Sequence, residues 1–207
     1  MVDRQIKPLP GIPGAKIVAE ACLQRGIEDA ENDSYDLHLT ITGRKPEMTA
    51  HFARKLSNGG GVRFTDMKID TARYEVAPGL RAFGIRAGWS MSFASSDLLS
   101  LFIVQGSEIR EILSDAAMRI YFTNRGSPCM RKNRQAERII VIDKRRNHGF
   151  FDLLVKETLD DWDEEADAQG NCDDTPVHRQ QRVYRLQFDG KQYNIPAEMA
   201  NFDCRLC

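Results

Sequence analysis

Apolar and polar side chains alternate with a period of two along much of this chain. In the clearest stretch, positions 35 to 41, every second residue is apolar: Tyr35, Leu37, Leu39 and Ile41. A period of two places successive side chains on opposite faces of an extended strand. The pattern predicts a half-buried β-strand that ends at the turn-forming residues Gly43–Pro46.

A tight turn separates two strand-like runs near the middle of the chain. The apolar run Leu98–Val104 precedes the turn Gln105–Ser107, and Glu108–Leu113 follows it. A short glycine-containing loop between two such runs is typical of a β-hairpin. We therefore predict an antiparallel hairpin centred on Gly106.

The first 34 residues follow a different pattern. Three prolines between positions 8 and 13 predict an extended, turn-rich lead-in. Apolar residues in Ala15–Arg25 then have helical spacing, and Gly26 follows where a short helix would end. We predict one short helix within residues 1–34 and a single antiparallel β domain over residues 35–207.

Strand-like segments recur at short intervals from Tyr35 to Ile195. Roughly ten such segments with at most one helix indicate a mainly β fold: an antiparallel sandwich, an open barrel or a propeller fragment. The chain has 207 residues, of which 42% are hydrophobic, and this suffices for one packed core.

Charge and hydropathy exclude two classes of partner. The chain has 29 Lys and Arg residues against 30 Asp and Glu residues, a net charge of -1. This balance gives no general attraction to phosphate backbones, so we expect no nucleic-acid partner. No apolar stretch approaches the roughly 18 residues of a membrane-spanning helix, so we expect no membrane insertion.

The cysteine content bears on the compartment. Five cysteines are candidates for disulfides: Cys22, Cys129, Cys172, Cys204 and Cys207. Their odd number indicates one or two disulfides and a spare thiol. One arrangement joins Cys204 or Cys207 to Cys22 or Cys172; a frayed tail is the alternative. Disulfides favour a periplasmic or otherwise exported protein over a cytoplasmic one.

The N-terminal residues leave both compartments open. Met1–Gly14 lacks the charged-then-apolar pattern of a secretory signal. The chain is therefore either cytoplasmic or an exported protein from which a signal has been removed.

One pair of residues has the raw material for acid–base catalysis. His148 and Asp152 stand four positions apart across a predicted turn. No Ser or Cys nucleophile has a recognisable catalytic setting, so we predict no catalytic residue and expect Asp152 to accept hydrogen bonds within its own turn. The histidines and cysteines show no paired ligand spacing, so we predict no metal site and no cofactor.

The segment Leu159–Val177 is the most distinctive part of the chain. It has eight carboxylates, scarcely an apolar residue besides Trp162, and predicts a long exposed loop. Mutual repulsion would keep the loop extended, and an indole is a common anchor at protein interfaces. We interpret it as a binding site for a partner with a basic surface, and a flexible solubilising loop is the alternative. The predicted partner-binding residues are Asp160, Asp161, Trp162, Asp163, Glu164, Glu165 and Asp167.

A second segment resembles a known repeat. The residues are Asn147, His148, Gly149, Phe150, Phe151, Asp152, Leu153, Leu154 and Val155. This run resembles the D-G-x-x-D-L-x-V core of integrin-type FG-GAP repeats, as found in small exported bacterial proteins, and Val183–Tyr193 is similar to the hairpin that often follows such a core. Lys144, Arg146 and His148 replace the acidic or amide residues of the calcium-binding form. The resemblance therefore implies a hairpin and no calcium site.

These observations predict a non-enzymatic protein-binding domain. Its expected role is that of an inhibitor or immunity-like protein, which covers a partner's active cleft with its loops and sheet edge. Two alternatives remain: a hydrolase that uses His148 and Asp152, and a structural accessory module of the cell envelope.

Overall fold

The computed structural model describes residues 3–24, 34–43, 50–56, 63–124 and 129–200. Within these ranges the chain forms two antiparallel sheets and one short helix. The prediction of a mainly β fold is confirmed, and the larger sheet curls into a half-barrel.

Four strands form the small sheet and eight form the large sheet. The small sheet has the order β1-β2-β3-β4, with β1 at Asp3–Pro8, β2 at Lys16–Gln24, β3 at Ser34–Thr42 and β4 at Ala50–Leu56. The large sheet comprises β5 at Arg63–Ala77, β6 at Leu80–Met91, β7 at Ala94–Gln105, β8 at Glu108–Thr123, β9 at Lys132–Asn147, β10 at Phe150–Ala166, β11 at Cys172–Asp174 and β12 at His178–Leu186. Strands β5 to β10 pair in chain order, and both β11 and β12 pair with β10. The helix α1 spans Ala197–Ala200.

The predicted helix within Ala15–Arg25 is wrong. Lys16–Gln24 is strand β2, which pairs with β1 on one side and with β3 on the other. Ile17, Ala19 and Ala21 alternate onto one buried face, a pattern masked by other apolar residues between them. Pairing along both edges decides the conformation of this ambiguous segment. The predicted lead-in therefore contributes two strands to the small sheet.

Both predicted hairpin turns in the large sheet are present. Gly106 joins β7 to β8 with φ of 60°, so the predicted hairpin is confirmed. His148 and Gly149 join β9 to β10 with φ of 49° and 85°. Positive φ at both central residues is characteristic of the tight turn that fits the twist of a hairpin.

The first hydrophobic core lies between the two sheets. Ile17, Leu39 and Ile41 of the small sheet pack with Phe83 and Phe102 of the large sheet, and all are at most 1% exposed. Burial of each such side chain stabilises the fold by about 1.5–3 kcal/mol. This core, which includes Ile109 of β8, fixes the small sheet over strands β5 to β8.

A second core lies on the opposite face of the large sheet. Neighbouring residues of a strand point to opposite faces, so Leu101 belongs to this core while Phe102 belongs to the first. Leu153, Val155 and Leu186 of β10 and β12 complete it and are fully buried. The large sheet is thus covered on both faces along its middle strands.

The segment after β12 fills a gap in the large sheet. β8 pairs with β9 between Arg119 and Thr123, and the two strands separate beyond that stretch. There the Tyr193 N–H donates to the Ile112 carbonyl over 2.7 Å, and the Tyr193 hydroxyl donates to the Phe151 carbonyl over 2.7 Å. The C-terminal segment therefore joins β8 to the β9–β10 hairpin.

A buried ion pair lies at the same junction. The Arg138 guanidinium donates to Glu157 over 2.7 Å and to the carbonyls of Ala117 and Met199 over 2.8 and 3.2 Å. The Tyr184 hydroxyl donates to the second Glu157 oxygen over 3.0 Å. Both charged side chains are 3% exposed, and Arg138 is the buried cation that compensates Glu157, with the more exposed Arg182 at 4.0 Å.

We expect Arg138→Met to lower the free energy of unfolding by roughly 3–5 kcal/mol, because it leaves the Glu157 carboxylate buried without its cation. The double variant R138M/E157L should recover most of this loss, since it removes both charges. Urea unfolding of the two single variants and the double variant measures the coupling. Equal stability of R138M and the unsubstituted protein would contradict the structural role of the pair.

Candidate functional site

The acidic segment is a strand and not a loop. β10 continues to Ala166, so the carboxylates from Asp160 to Glu165 lie within it. β10 pairs with β9 as far as Asp163, with β12 as far as Asp161, and then with β11 from Glu164 to Ala166. The predicted loop over residues 159–177 is therefore wrong for its first half. Backbone pairing does not depend on apolar side chains, and basic residues opposite the acids make an acidic strand tolerable.

We call residues 160–167 together with β11 the acidic ribbon. Beyond Asp163 its β10 part has no partner in β9, but the Glu164 N–H donates to the Arg131 carbonyl over 2.8 Å, so the residues just before β9 still flank it. The last residues of β10 pair with β11, and side chains of both strands are exposed.

Two of the predicted binding residues are neutralised by neighbouring strands. Arg179 of β12 contacts both oxygens of Asp160 over 2.8 Å, and Arg134 of β9 contacts Asp161 over 2.5 and 3.3 Å. The hydrogen bond from Arg179 lowers the pKa of the Asp160 carboxyl below its ordinary value. These two acids hold the ribbon to the rest of the sheet.

Asp167 closes the connection between β10 and β11. Its Oδ1 accepts hydrogen bonds from the backbone N–H groups of Gln169 and Asn171 over 2.8 and 2.7 Å. Its Oδ2 accepts from the Asn171 side chain over 3.0 Å, and this bond is the main reason for the lowered pKa of Asp167. Asp167 therefore has a structural role in the turn.

Asp163 lies opposite Lys132 of β9, whereas the four other acids face one another across the ribbon. Glu164 lies directly opposite Asp174, and Glu165 lies directly opposite Asp173. Like charges in directly opposed positions destabilise a β-ladder. Arg131 approaches Glu164 to 3.9 Å, whereas Glu165, Asp173 and Asp174 have no salt bridge to any residue that the structure describes. The end of the ribbon is thus an uncompensated negative surface.

A disulfide holds this repulsive ladder together. Cys172, the first residue of β11, is bonded to Cys129, which precedes β9. The predicted link from Cys172 to the C-terminal cysteines is therefore wrong, and Cys22 is a free thiol. Cys204 and Cys207 lie outside the described residues. The Asp163 N–H also donates to the Thr175 hydroxyl over 2.9 Å, a second tie across the ribbon.

Trp162 lies within the ribbon, at the part of β10 that still pairs with β9. Its ring centroid is 6.3 Å from that of Tyr121 on β8, and the indole is half-buried. The Tyr121 hydroxyl donates to the buried Asn133 over 3.1 Å. Trp162 is thus fixed in the sheet and presents the rest of its surface to solvent.

Sequence reasoning missed the part played by Asp173 and Asp174. Both belong to the acidic segment, but their significance depends on register, which places them opposite Glu165 and Glu164. The cysteine directly before them was the available signal, because a disulfide at Cys172 restrains the residues that follow it.

Asp152 is buried between hydrogen-bond donors from neighbouring strands. The carboxylate is fully buried and accepts from the Asn147 amide over 2.6 Å and from the Arg185 guanidinium over 3.1 Å. Arg185 also contacts Asp143. The expected backbone bonds within its own turn are thus replaced by bonds to two side chains. His148 occupies the turn itself, with its ring against Gly190.

Within the described ranges, no group of His, Cys, Asp and Glu side chains is arranged to hold a metal ion. Among the helical residues that the structure describes, no helix is long and apolar enough to cross a membrane.

Neither a protein-family model, nor a curated protein, nor a solved structure matches this chain. The function must therefore be inferred from the geometry of the site.

We expect the double variant C129S/C172S to loosen the acidic ribbon, because β11 would then be held against its like-charge pairs by only a short ladder. Amides of residues 164–166 and 172–174 should exchange with deuterium at least about tenfold faster, and the free energy of unfolding should fall by up to about 4 kcal/mol. Cys22→Ser is the control and should leave this exchange unchanged. Unaltered protection of the ribbon in C129S/C172S would show that the disulfide does not hold it.

Proposed function

We propose that this chain is a non-enzymatic protein-binding domain, and that the end of its acidic ribbon contacts a basic surface on another protein. The observation that carries the proposal is the register of β10 and β11, which opposes Glu164 to Asp174 and Glu165 to Asp173. A cluster of Lys or Arg side chains from a partner would relieve this repulsion.

The strand structure supports binding better than a loop would. A flexible loop loses conformational entropy when a partner orders it, whereas the ribbon is already ordered by backbone pairing and by the Cys129–Cys172 disulfide. The exposed carboxylates would also steer a basic partner during the encounter. Both effects favour association without any change in the contact area.

An aromatic anchor lies next to the charged surface. Trp162 is four residues from the end of β10 and packs beside Tyr121. Interfaces commonly combine a large aromatic contact with a polar rim. We assign Trp162 to the apolar part of the interface and Glu165, Asp173 and Asp174 to its charged edge.

The finer proposal is that the partner is an enzyme and that the chain acts as an inhibitor or immunity-like protein. The disulfide stiffens the end of the ribbon, and a rigid acidic edge suits insertion into a concave active site that is lined with basic side chains. The intramolecular disulfide is compatible with an exported location, and we propose that the chain acts in the periplasm or beyond it. A partner drawn from a cell-envelope assembly would instead favour the structural accessory role.

The hydrolase alternative receives less support. Asp152 is occupied by Asn147 and Arg185, and the pairing of its charge with Arg185 favours a structural role. We therefore retain the binding proposal alone.

We expect the triple variant E165Q/D173N/D174N to weaken partner binding by at least about tenfold and to flatten its dependence on salt, because three unpaired charges are removed. The matched control is E75Q/E108Q/E198Q, which changes net charge equally at sites away from the ribbon. Cross-linking and mass spectrometry in lysate of the native host identify the partner. Biolayer interferometry with the purified partner at two salt concentrations then measures the affinities. Equal losses in the two triple variants would mean that overall charge, and not the ribbon, drives association.

A further inference from the structure

A second concave site lies on the large sheet, where strands β5 to β8 line an open cavity of about 210 Å³ that includes Asp66, Lys68, Arg86 and Asp97. Its lining residue Ser95 is directly opposite Tyr121, the residue that packs against Trp162. The four charged side chains lie on the face opposite the small sheet, because along each strand they alternate with residues of the first core, which point toward the small sheet. The lining at this end of the face combines charged and hydroxyl side chains with Trp89, whereas the other end is filled by the second core.

The floor of the cavity is shaped by a glycine and a β-bulge. The register between β5 and β6 shifts from Phe64 opposite Trp89 to Asp66 opposite Gly88, which leaves Thr65 as the extra residue. A Cβ atom on Gly88 would lie 2.2 Å from Asp66 Oδ1 and 2.4 Å from Thr65 Oγ1. Gly88 therefore allows two oxygen-bearing side chains to fold over the strand and into the cavity.

The charges around the cavity compensate one another. Lys68 contacts Asp66 over 2.8 Å, and Arg86 contacts Asp97 over 3.4 Å and, behind it, Asp70 over 2.8 Å. Arg119 at the rim contacts Glu137 over 3.3 Å. A phosphate or carboxylate ligand would need an excess of cations, which this arrangement lacks. A neutral ligand does not disturb the balance.

Hydroxyl groups add both donors and acceptors to the lining. Ser90 and Ser95 are directly opposite each other on β6 and β7, and both line the cavity. Neither hydroxyl has a hydrogen-bond partner among the residues that the structure describes. Carboxylates only accept and Lys and Arg only donate, so a ligand that matches all of these groups must both donate and accept at neighbouring atoms.

We propose that this cavity binds a neutral sugar ring of hexose size. Adjacent ring hydroxyls would donate to Asp66 and Asp97, accept from Lys68 and Arg86, and exchange hydrogen bonds with the two serines. The volume lies below the roughly 300–1,000 Å³ of pockets for drug-sized ligands, so the site takes about one ring. The sugar proposal uses no residue of the acidic ribbon, and either assignment stands without the other.

Titration with three neutral probes, the methyl glycosides of glucose, mannose and galactose, tests the proposal. In ¹H–¹⁵N NMR spectra of the intact chain, at least one probe should shift the amides of Gly88, Ser90 and Ser95 saturably, with a dissociation constant of about millimolar size. S90A/S95A should weaken this binding about tenfold, because two hydrogen bonds are lost. The control is Ser92→Ala, whose exposed hydroxyl lies in the turn of the same hairpin and which should retain full affinity.

Three results would overturn the assignment. The first is the absence of saturable shifts with all three glycosides, and the second is unchanged affinity in an S90A/S95A variant whose spectrum shows a native fold. The third is saturable binding of inorganic phosphate at these amides in the absence of glycoside binding, since it would show that the cations in the cavity are not compensated.

Discussion

Backbone pairing along both edges of β10 is the interaction on which the rest of the large sheet depends. One edge of this strand pairs with β9, and the other pairs first with β12 and then with β11. Leu153 and Val155 at its beginning belong to the second core, Glu157 forms the buried ion pair, and the carboxylates follow. A single strand thus connects the hydrophobic interior to the charged surface. Its hydrogen bonds are made by the main chain, so they persist after the side chains cease to be apolar.

The same pairing explains which parts of the fold were predictable. The alternation at Tyr35–Ile41 and the glycine turn at Gly106 are local signals, and both correspond to observed strands and turns. In Lys16–Gln24 the spacing of the apolar residues fits both a helix and a strand. Pairing with the neighbouring strands selects the strand. Sequence reasoning predicts a loop for the carboxylates between positions 160 and 165, because their cross-strand cations, such as Arg179 and Arg134, are distant in sequence.

The candidate sites were less accessible to sequence reasoning than the fold. Five cysteines allow many pairings, and the observed bond joins residues 43 positions apart. The sugar-binding cavity combines residues from four strands, and none of them forms a motif. Gly88, in an otherwise strand-like run, was the one local signal, because an interior glycine often marks a bulge or a close approach. What such a glycine accommodates depends on register, which a single sequence does not specify.

The position of the C-terminal segment has a consequence for biosynthesis. Tyr193 and Met199 complete the second core, yet they follow every strand that the structure describes. While this region is still being translated, the second core lacks these two side chains. The nascent chain therefore exposes part of this hydrophobic surface until residue 199 has emerged from the ribosome. Contacts such as Tyr193 with Ile112 span a long stretch of sequence, and contacts of this kind slow folding. A chaperone that shields the half-built barrel would act during this interval.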